Sequence, residues 1–388
     1  MSDTVAQPRP LVPAVEPAVP QRPERLLSLD VFRGLTVAGM LLVNNPGTWS
    51  AVYDPLEHAA WHGWTPTDLI FPFFLFIVGV SMAYSLVPRL ERGDAPGRLF
   101  AKAAKRSAIL VGLGLLLAAF PYYNLDLSHL RIPGVLQRIG LAFFLASAVV
   151  LFAKPRAQWA IAAALLLGYW AAMMLIPVPG HGAGNLSKDG SLAAYVDRAV
   201  LGTNHLWASA KTWDPEGLLS TLPSVATVLL GVFAGRWMRS ERTPAERLVG
   251  LFLAGNAAVV AGLVWDAAFP INKNLWTSSY VLFTAGLAMH TLAVCYWLVD
   301  VRGRRRWAMP FAWFGMNAIF AFFLSGVMGR LLYQVKVGDR AIKEVIFDAA
   351  FASWLPAHDA SLAFALCFVA LWTGLVWAMH RRGWYWKV

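Results

Sequence analysis

Apolar residues along this chain gather into long stretches separated by short polar or basic connections. A helix crossing roughly 30 Å of hydrocarbon needs about 20 mostly apolar residues. Stretches of that kind fall near 31–48, 66–87, 107–120, 134–153 and 158–177. Five more lie near 219–237, 247–268, 276–299, 308–333 and 360–380. The third is short and the ninth has uneven ends. The pattern predicts an all-α integral membrane protein, a bundle of about ten transmembrane helices with about eleven as the alternative.

Lys and Arg in short loops mark the cytoplasmic side. With the N-terminus inside, every second connection should be basic. Arg89, Arg92, Arg98, Lys102, Lys105 and Arg106 follow the second stretch, and Lys154 and Arg156 follow the fourth. Arg236, Arg239, Arg242 and Arg247 follow the sixth, and Arg302, Arg304, Arg305 and Arg306 the eighth. His380, Arg381, Arg382 and Lys387 close the chain. The other connections are nearly neutral, including the long one from Pro177 to Leu218. The alternation predicts both termini in the cytoplasm and a multi-pass protein, in a bacterium one of the inner membrane.

Composition agrees. Of 388 residues 58% are hydrophobic and 14% charged, against roughly 25% charged in a soluble domain. The 18 Trp and 23 Phe fit rings that settle at headgroup level. Read by position, the formal charge of +11 reports topology and attraction to anionic lipid, and nucleic acid is not an expected partner. Cys295 and Cys367 both lie in apolar runs, so neither a disulfide framework nor a thiolate metal site is expected. Residues 1–25, rich in Pro, Ala and Val, read as a disordered cytoplasmic arm without the basic start and apolar core of a cleavable signal. Residues 26–388 read as one transmembrane domain.

An ionisable group at membrane depth is costly enough to suggest function, and four places qualify. SLDVFRG puts Asp30 and Arg33 on one helical face, either as an ion pair at the inner boundary or as part of a site. Asn44 and Asn45 end the same helix, and His58, His62 and Asp68 follow. Two histidines and a carboxylate near one membrane surface suit acid–base chemistry, although helix-end or headgroup roles suit them too. The spacing of His58 and His62 matches a helical pair, but no third ligand lies nearby, so no metal is expected. In HLRIPGVLQRIG, Arg131, Gln137 and Arg138 sit at or inside the fourth stretch. An Arg there needs a buried carboxylate such as Asp30 or Asp68, or else a phosphate or carboxylate ligand. Finally, Asp214 and Glu216 in WDPEG and Asn272, Lys273 and Asn274 in INKNLW give donors and acceptors suited to a hydroxyl-rich ligand. No Walker A motif, dinucleotide-binding glycine fingerprint, nucleophile elbow or HExxH is present. An enzyme and a transporter both fit these residues.

The strings SLDVFRG, LLVNN, EHAAWHGWTPTDLIFPFFLFIVG, RIPGVLQRIG, YVDR, WDPEG, INKNLWTSSY and FGMNAI, in this order, resemble the heparan-α-glucosaminide N-acetyltransferase family from about Arg25 onward. The resemblance implies a helical acyltransferase that takes acetyl-CoA from the cytoplasm and acetylates a glucosamine amine on the far side. It places the active-site histidine at His58 and its companion asparagine at Asn44. Asp68, Arg131, Gln137 and Arg138 would line the central cavity, and Asn272, Lys273 and Asn274 the acceptor mouth. Lys105, Arg106 and Arg33 are the candidates for the CoA phosphates, joined in the cofactor set by Arg131, Gln137 and Arg138. His62 stands where the lysosomal enzyme has asparagine and Ser325 where it has histidine, and the lysosomal protein's cysteine-bearing lumenal segment is missing. His58 acting as general base with Asn44 orienting it, or His58 itself carrying the acetyl group, both fit the sequence. The implied partners are acetyl-CoA, an amino sugar or amino-sugar glycan and the bilayer, with a homodimer as the implied assembly. The competing reading is an amino-sugar permease without acyl transfer. A third is transfer of a longer acyl group to a cell-envelope glycan.

Overall fold

The structure is a computed structural model that describes residues 26–122 and 126–386. The N-terminal arm and Lys387 lie outside the described residues. Fourteen α-helices follow in order among the described residues. They begin with α1 (Leu27–Asn44), α2 (Ile70–Ser85), α3 (Val87–Glu91), α4 (Pro96–Ala119), α5 (Val135–Phe152) and α6 (Pro155–Leu175). Next come α7 (Leu192–Leu201), α8 (Thr221–Met238), α9 (Pro244–Asp266) and α10 (Ser278–Tyr296). The last are α11 (Met309–Met316), α12 (Ala318–Gln334), α13 (Ile342–Phe347) and α14 (Ala357–Arg381). A two-stranded ribbon, β1 (Lys336–Val337) with β2 (Arg340–Ala341), precedes α13.

Eight of these elements are long and apolar enough to cross a membrane, or nine if α11 and α12 count as one bent span. Burial is distributed as lipid would require. The central helix α8 buries 14 of its 18 residues, whereas α9 buries only Leu251, Gly255 and Gly262 and leaves Val249, Phe252, Leu253, Val260, Leu263 and Val264 exposed. An outward face this apolar has no aqueous explanation.

Helices approach backbone to backbone through glycine. A Cβ on Gly34 of α1 would stand 1.6 Å from the carbonyl oxygen of Phe311 in α11, and one on Gly315 1.9 Å from that of Asp30. Gly79 of α2 and Gly231 of α8 do the same, at 1.9 Å from Val228 O and 2.0 Å from Phe76 O. In lipid no hydrophobic drive joins helices, so such close contact supplies the packing.

Three elements differ from the hydropathy pattern. The third helix starts at Pro96, well before the apolar residues from 107, because Ala, Lys and Arg are good helix formers and carry the helix beyond the apolar part. Its Arg98, Lys102, Lys105 and Arg106 keep α4, though 24 residues long, outside the count of spans. The ninth stretch is not one helix. Asn317, at φ −125° and ψ 34°, separates α11 from α12, and their axes bend by 76°. The long connection before α8 is not all loop, since α7 folds within it behind a Ser191 cap that accepts from Ala194 N–H.

Candidate active site

Two cavities with polar and charged side chains set in largely apolar walls lie between α1, α4, α5 and α12. One, of about 500 Å³, sits at the end where α1 begins and the basic connections gather. Asp30, Arg33, Ser81, Tyr84 and Arg106 line it. The other, of about 930 Å³, opens at the opposite, loop-rich end and is lined by Asn44, Asn45, Arg131, Gln137, Lys211 and Arg330 among others. Nearest lining residues of the two cavities are Leu110 and Gly114 on α4, Ile139 and Gln137 on α5, and Ile319 and Phe322 on α12. Two to four residues separate them on these three helices, a rise of about 3–6 Å, and seven on α1, from Arg33 to Met40.

His58 belongs to the loop-rich end. HAAWHG contains no helix; the chain runs through bends into a 3₁₀ turn at Pro66–Leu69 that leads into α2. Thr65 and Asp68 close that turn reciprocally as a capping box. Asp68 Oδ2 accepts from Thr65 N–H and Ala59 N–H, both at 3.0 Å, and from the Thr65 hydroxyl at 3.2 Å. Its other oxygen lies 2.6 Å from His58 Nδ1. A carboxylate can only accept, so Nδ1 carries a proton, and in the neutral imidazole the lone pair is on Nε2. Tyr280 donates its hydroxyl to the Asp68 backbone carbonyl at 2.5 Å, tying the turn to α10.

Lys273 completes the group. Its Nζ lies 3.1 Å from His58 Nε2, 3.2 Å from Nδ1 and 3.8 Å from Asp68 Oδ1. Burial disfavours its charge, and although Asp68 and Glu216 favour it, the pKa ends below the usual lysine value. The loop aiming it is tightly self-bonded. Asn272 Oδ1 accepts from Leu275 N–H at 2.9 Å, Asn272 N–H donates to Thr277 Oγ1 at 3.0 Å, and Gly63 N–H docks onto Ile271 O at 2.8 Å. Trp276, fully buried, is left at φ 53°, a left-handed conformation costly for a large side chain. Its indole N–H bonds Thr227 Oγ1 at 3.1 Å.

A second cluster forms around Arg131. Its Nε and Nη2 hold Asp214 at 2.8 and 2.6 Å, and Nη2 also reaches Glu216 at 2.6 Å. Burial opposes the Arg131 charge, but the two carboxylates outweigh it and raise its pKa. Behind it Arg138 is fully buried, bonded to Gly217 O at 3.0 Å and to Ser220 Oγ, with its guanidinium 5.1 Å from the Trp276 ring. Its Nε and Nη1 have no partner among the described residues. Among the described residues the pairs formed by Asp30 and Asp68 go elsewhere, Asp68 to His58. Asp30 pairs with Arg33 at 3.1 Å instead.

The structure thus gathers the expected residues into separate groups. His58, Asp68 and Lys273 meet; Arg131, Asp214 and Glu216 meet. Asn44 lines the loop-end cavity, and no hydrogen bond joins it to His58 among the described residues. Gln137 lines the same cavity and donates to Ile132 O at 3.1 Å. Arg33 and Arg106 line the basic-end cavity, while Lys105, next to Arg106 on α4, does not. Asn272 is fully buried, its amide nitrogen 3.4 Å from His62 Nδ1, and Asn274 is half-buried. Burial lowers the His62 pKa. Thr65, Tyr280, Arg330 and Trp386 stand at these sites without a sequence forecast. Only Thr65 had a legible signal, the T-x-x-D spacing of a capping box.

A family model described as heparan-α-glucosaminide N-acetyltransferase, catalytic, matches residues 25–263. The Homo sapiens protein named heparan-α-glucosaminide N-acetyltransferase is 31% identical over 422 aligned residues, and the Mus musculus protein of the same name 30% over 417. Each alignment covers 94% of this chain. The chain spans about 60% of the length of these curated relatives. With more than half of its residues inside the family model and the chain order of motifs intact, this protein belongs to the heparan-α-glucosaminide N-acetyltransferase family.

Proposed function

We propose that the chain is a membrane N-acetyltransferase that carries an acetyl group from acetyl-CoA at the cytoplasmic side to the amine of glucosamine or a related amino sugar at the outer side. The basic end is the cytoplasmic end by the distribution of Lys and Arg, and α4 is the tenth span, its basic first half emerging on that side. A bacterial inner membrane fits this arrangement, with both termini inside.

One observation carries the chemistry. His58 is held by Asp68 at Nδ1, which in the neutral ring turns the Nε2 lone pair away from the carboxylate as the acceptor for a proton from the substrate amine. A ring oriented in this way by a carboxylate is what a general base requires. Asp68 fixes the tautomer and favours the imidazolium formed on proton transfer. Asn44, on the wall of the loop-end cavity, offers an amide N–H to a carbonyl oxygen there.

The basic-end cavity fits the charge of a CoA headgroup. Arg106 has its guanidinium 5.1 Å from the Phe143 ring and, with Arg33, would hold the phosphates, as arginine forks do. Acetyl-CoA supplies a thioester carbonyl open to attack by an amine. Everything else is positioning: along α4, α5 and α12 about one helical turn or less separates the two cavities, and along α1 about two turns, from Arg33 to Met40.

Acetyl transfer from radiolabelled acetyl-CoA to glucosamine by purified protein in detergent tests this, with His58→Ala alongside. Product from the wild type and a loss of about 10²-fold or more in the variant is the expected result. Bound acetyl-CoA without product moves the search to other acceptors. No CoA binding, with uptake of unmodified sugar in proteoliposomes, makes the protein a permease.

A further inference from the structure

The end of the chain returns to the bundle. After α14 the backbone turns at Gly383, φ 69°, and residues 384–386 lie against the break between α11 and α12. Trp386 N–H donates to Asn317 Oδ1 at 3.0 Å, and Asn317 Nδ2 donates to Trp384 O at 3.4 Å. Asn317 is fully buried. The residue that interrupts the ninth span therefore also anchors the tail by two backbone contacts.

Tryptophans at the end of a membrane helix commonly float at headgroup level, and the Trp384 ring, 58% exposed, suits that place although Asn317 bonds its carbonyl. Trp386 is held differently. Its backbone is pinned, its ring packs edge-on against Phe320 with centroids 5.6 Å apart, and it borders the basic-end cavity together with Arg33 and Arg106. It is 41% exposed. A fixed indole that shares a cavity wall with two guanidinium groups is a combination that recognises a nucleotide: the aromatic face stacks a base, and the cations take phosphate.

We propose that Trp386 is the base-stacking wall of a nucleotide subsite in the basic-end cavity, taking the adenine of CoA while Arg33 and Arg106 take its phosphates. This rests on the acetyl-CoA reading above. Asn317 is the positioning residue, acting only through the tail it holds. The C-terminal residues are thus part of the donor site and not merely a membrane anchor.

The test is calorimetric titration of the full chain in detergent with CoA and, separately, with pantetheine, which lacks the nucleotide. Trp386→Ala is expected to weaken CoA about 10- to 100-fold and leave pantetheine unchanged, with Trp386→Phe retaining most of the CoA affinity. Equal CoA affinity in wild type and Trp386→Ala overturns the proposal. So does a parallel loss for both ligands, which would make the tail a general structural support. A wild type that does not bind CoA at all overturns the acetyl-CoA reading itself, and this subsite with it.

Discussion

The two ends of the bundle are built differently. At the basic end the polar residues stand on regular helices: Arg33 on α1, Ser81 and Tyr84 on α2, Arg106 on α4. At the loop-rich end, the chemistry comes from segments distant in sequence. His58 meets Lys273 across 215 residues, and Arg131 meets Asp214 across 83. In the first design Arg33 is bonded to Asp30, Gly315 O and Ser81 Oγ, and Arg106 lies 5.1 Å from the Phe143 ring, with both guanidinium groups bordering an open cavity. The second pairs its charges between loops and holds them by backbone bonds, as a site must when groups have to be in place before the reaction begins. Lesions at the loop-rich end should therefore strike turnover or folding, and lesions at the basic end donor affinity.

The largest effect is expected at Asp68. Asp68→Asn keeps an acceptor for the capping bonds but presents an amide to His58 Nδ1 and no longer fixes the tautomer. Acetyl transfer should fall about 10²- to 10⁴-fold, while CoA titrates as in the wild type. A matching loss of CoA affinity would erase the division between the two ends.

Arg131→Met comes next, and its effect is on stability. Asp214 is fully buried and Glu216 nearly so, and without Arg131 both charges lose their partner. Breaking such a pair from one side costs about 3–5 kcal/mol. Thermal unfolding in detergent should show the loss, and adding Asp214→Asn should restore part of it. No change in melting would mean that the cluster is solvated and open.

The same contrast explains what the sequence made legible. Helix-borne features are local: apolar stretches, the alternation of basic connections, Asp30 and Arg33 on one face. Each can be read within a few residues. His58 and Lys273 could each be singled out as polar groups beside a membrane, but their contact depends on two loops docking through Gly63 and Ile271, which no spacing encodes. The pairing of Arg131 with Asp214 and Glu216 is hidden for the same reason, since 83 residues separate Arg131 from Asp214. Asn317 was hidden in another way. Asn317 is one polar residue in an apolar stretch, and its bonds to Trp384 and Trp386, which lie far along the chain, show what it holds at the break.

The smallest expected effect concerns Asp197, which holds the WDPEG segment behind the Arg131 cluster. It is buried on α7, its Oδ1 accepting from Leu218 N–H at 2.7 Å. Burial pushes its pKa up from 3.8 to about 7; Asp214 adds to the rise, while the Leu218 bond, Arg138 and Arg198 resist it. The native state therefore holds this proton more firmly than the unfolded chain does. Between about pH 4 and pH 7 the native state binds more protons, so stability falls as pH rises through that window and is level above it. The contribution is fully present below about pH 4 and lost by about pH 8, and a shift of about three units bounds it at about 4 kcal/mol. Asp197→Asn keeps an oxygen for Leu218 N–H and carries no charge at any pH. Melting temperatures of wild type and variant should then coincide near pH 4.5 and separate by pH 8, with the variant higher. An unchanged difference across that range would show that Asp197 stays ionised in the fold, and that Arg138 and Arg198 stabilise its charge more than burial penalises it.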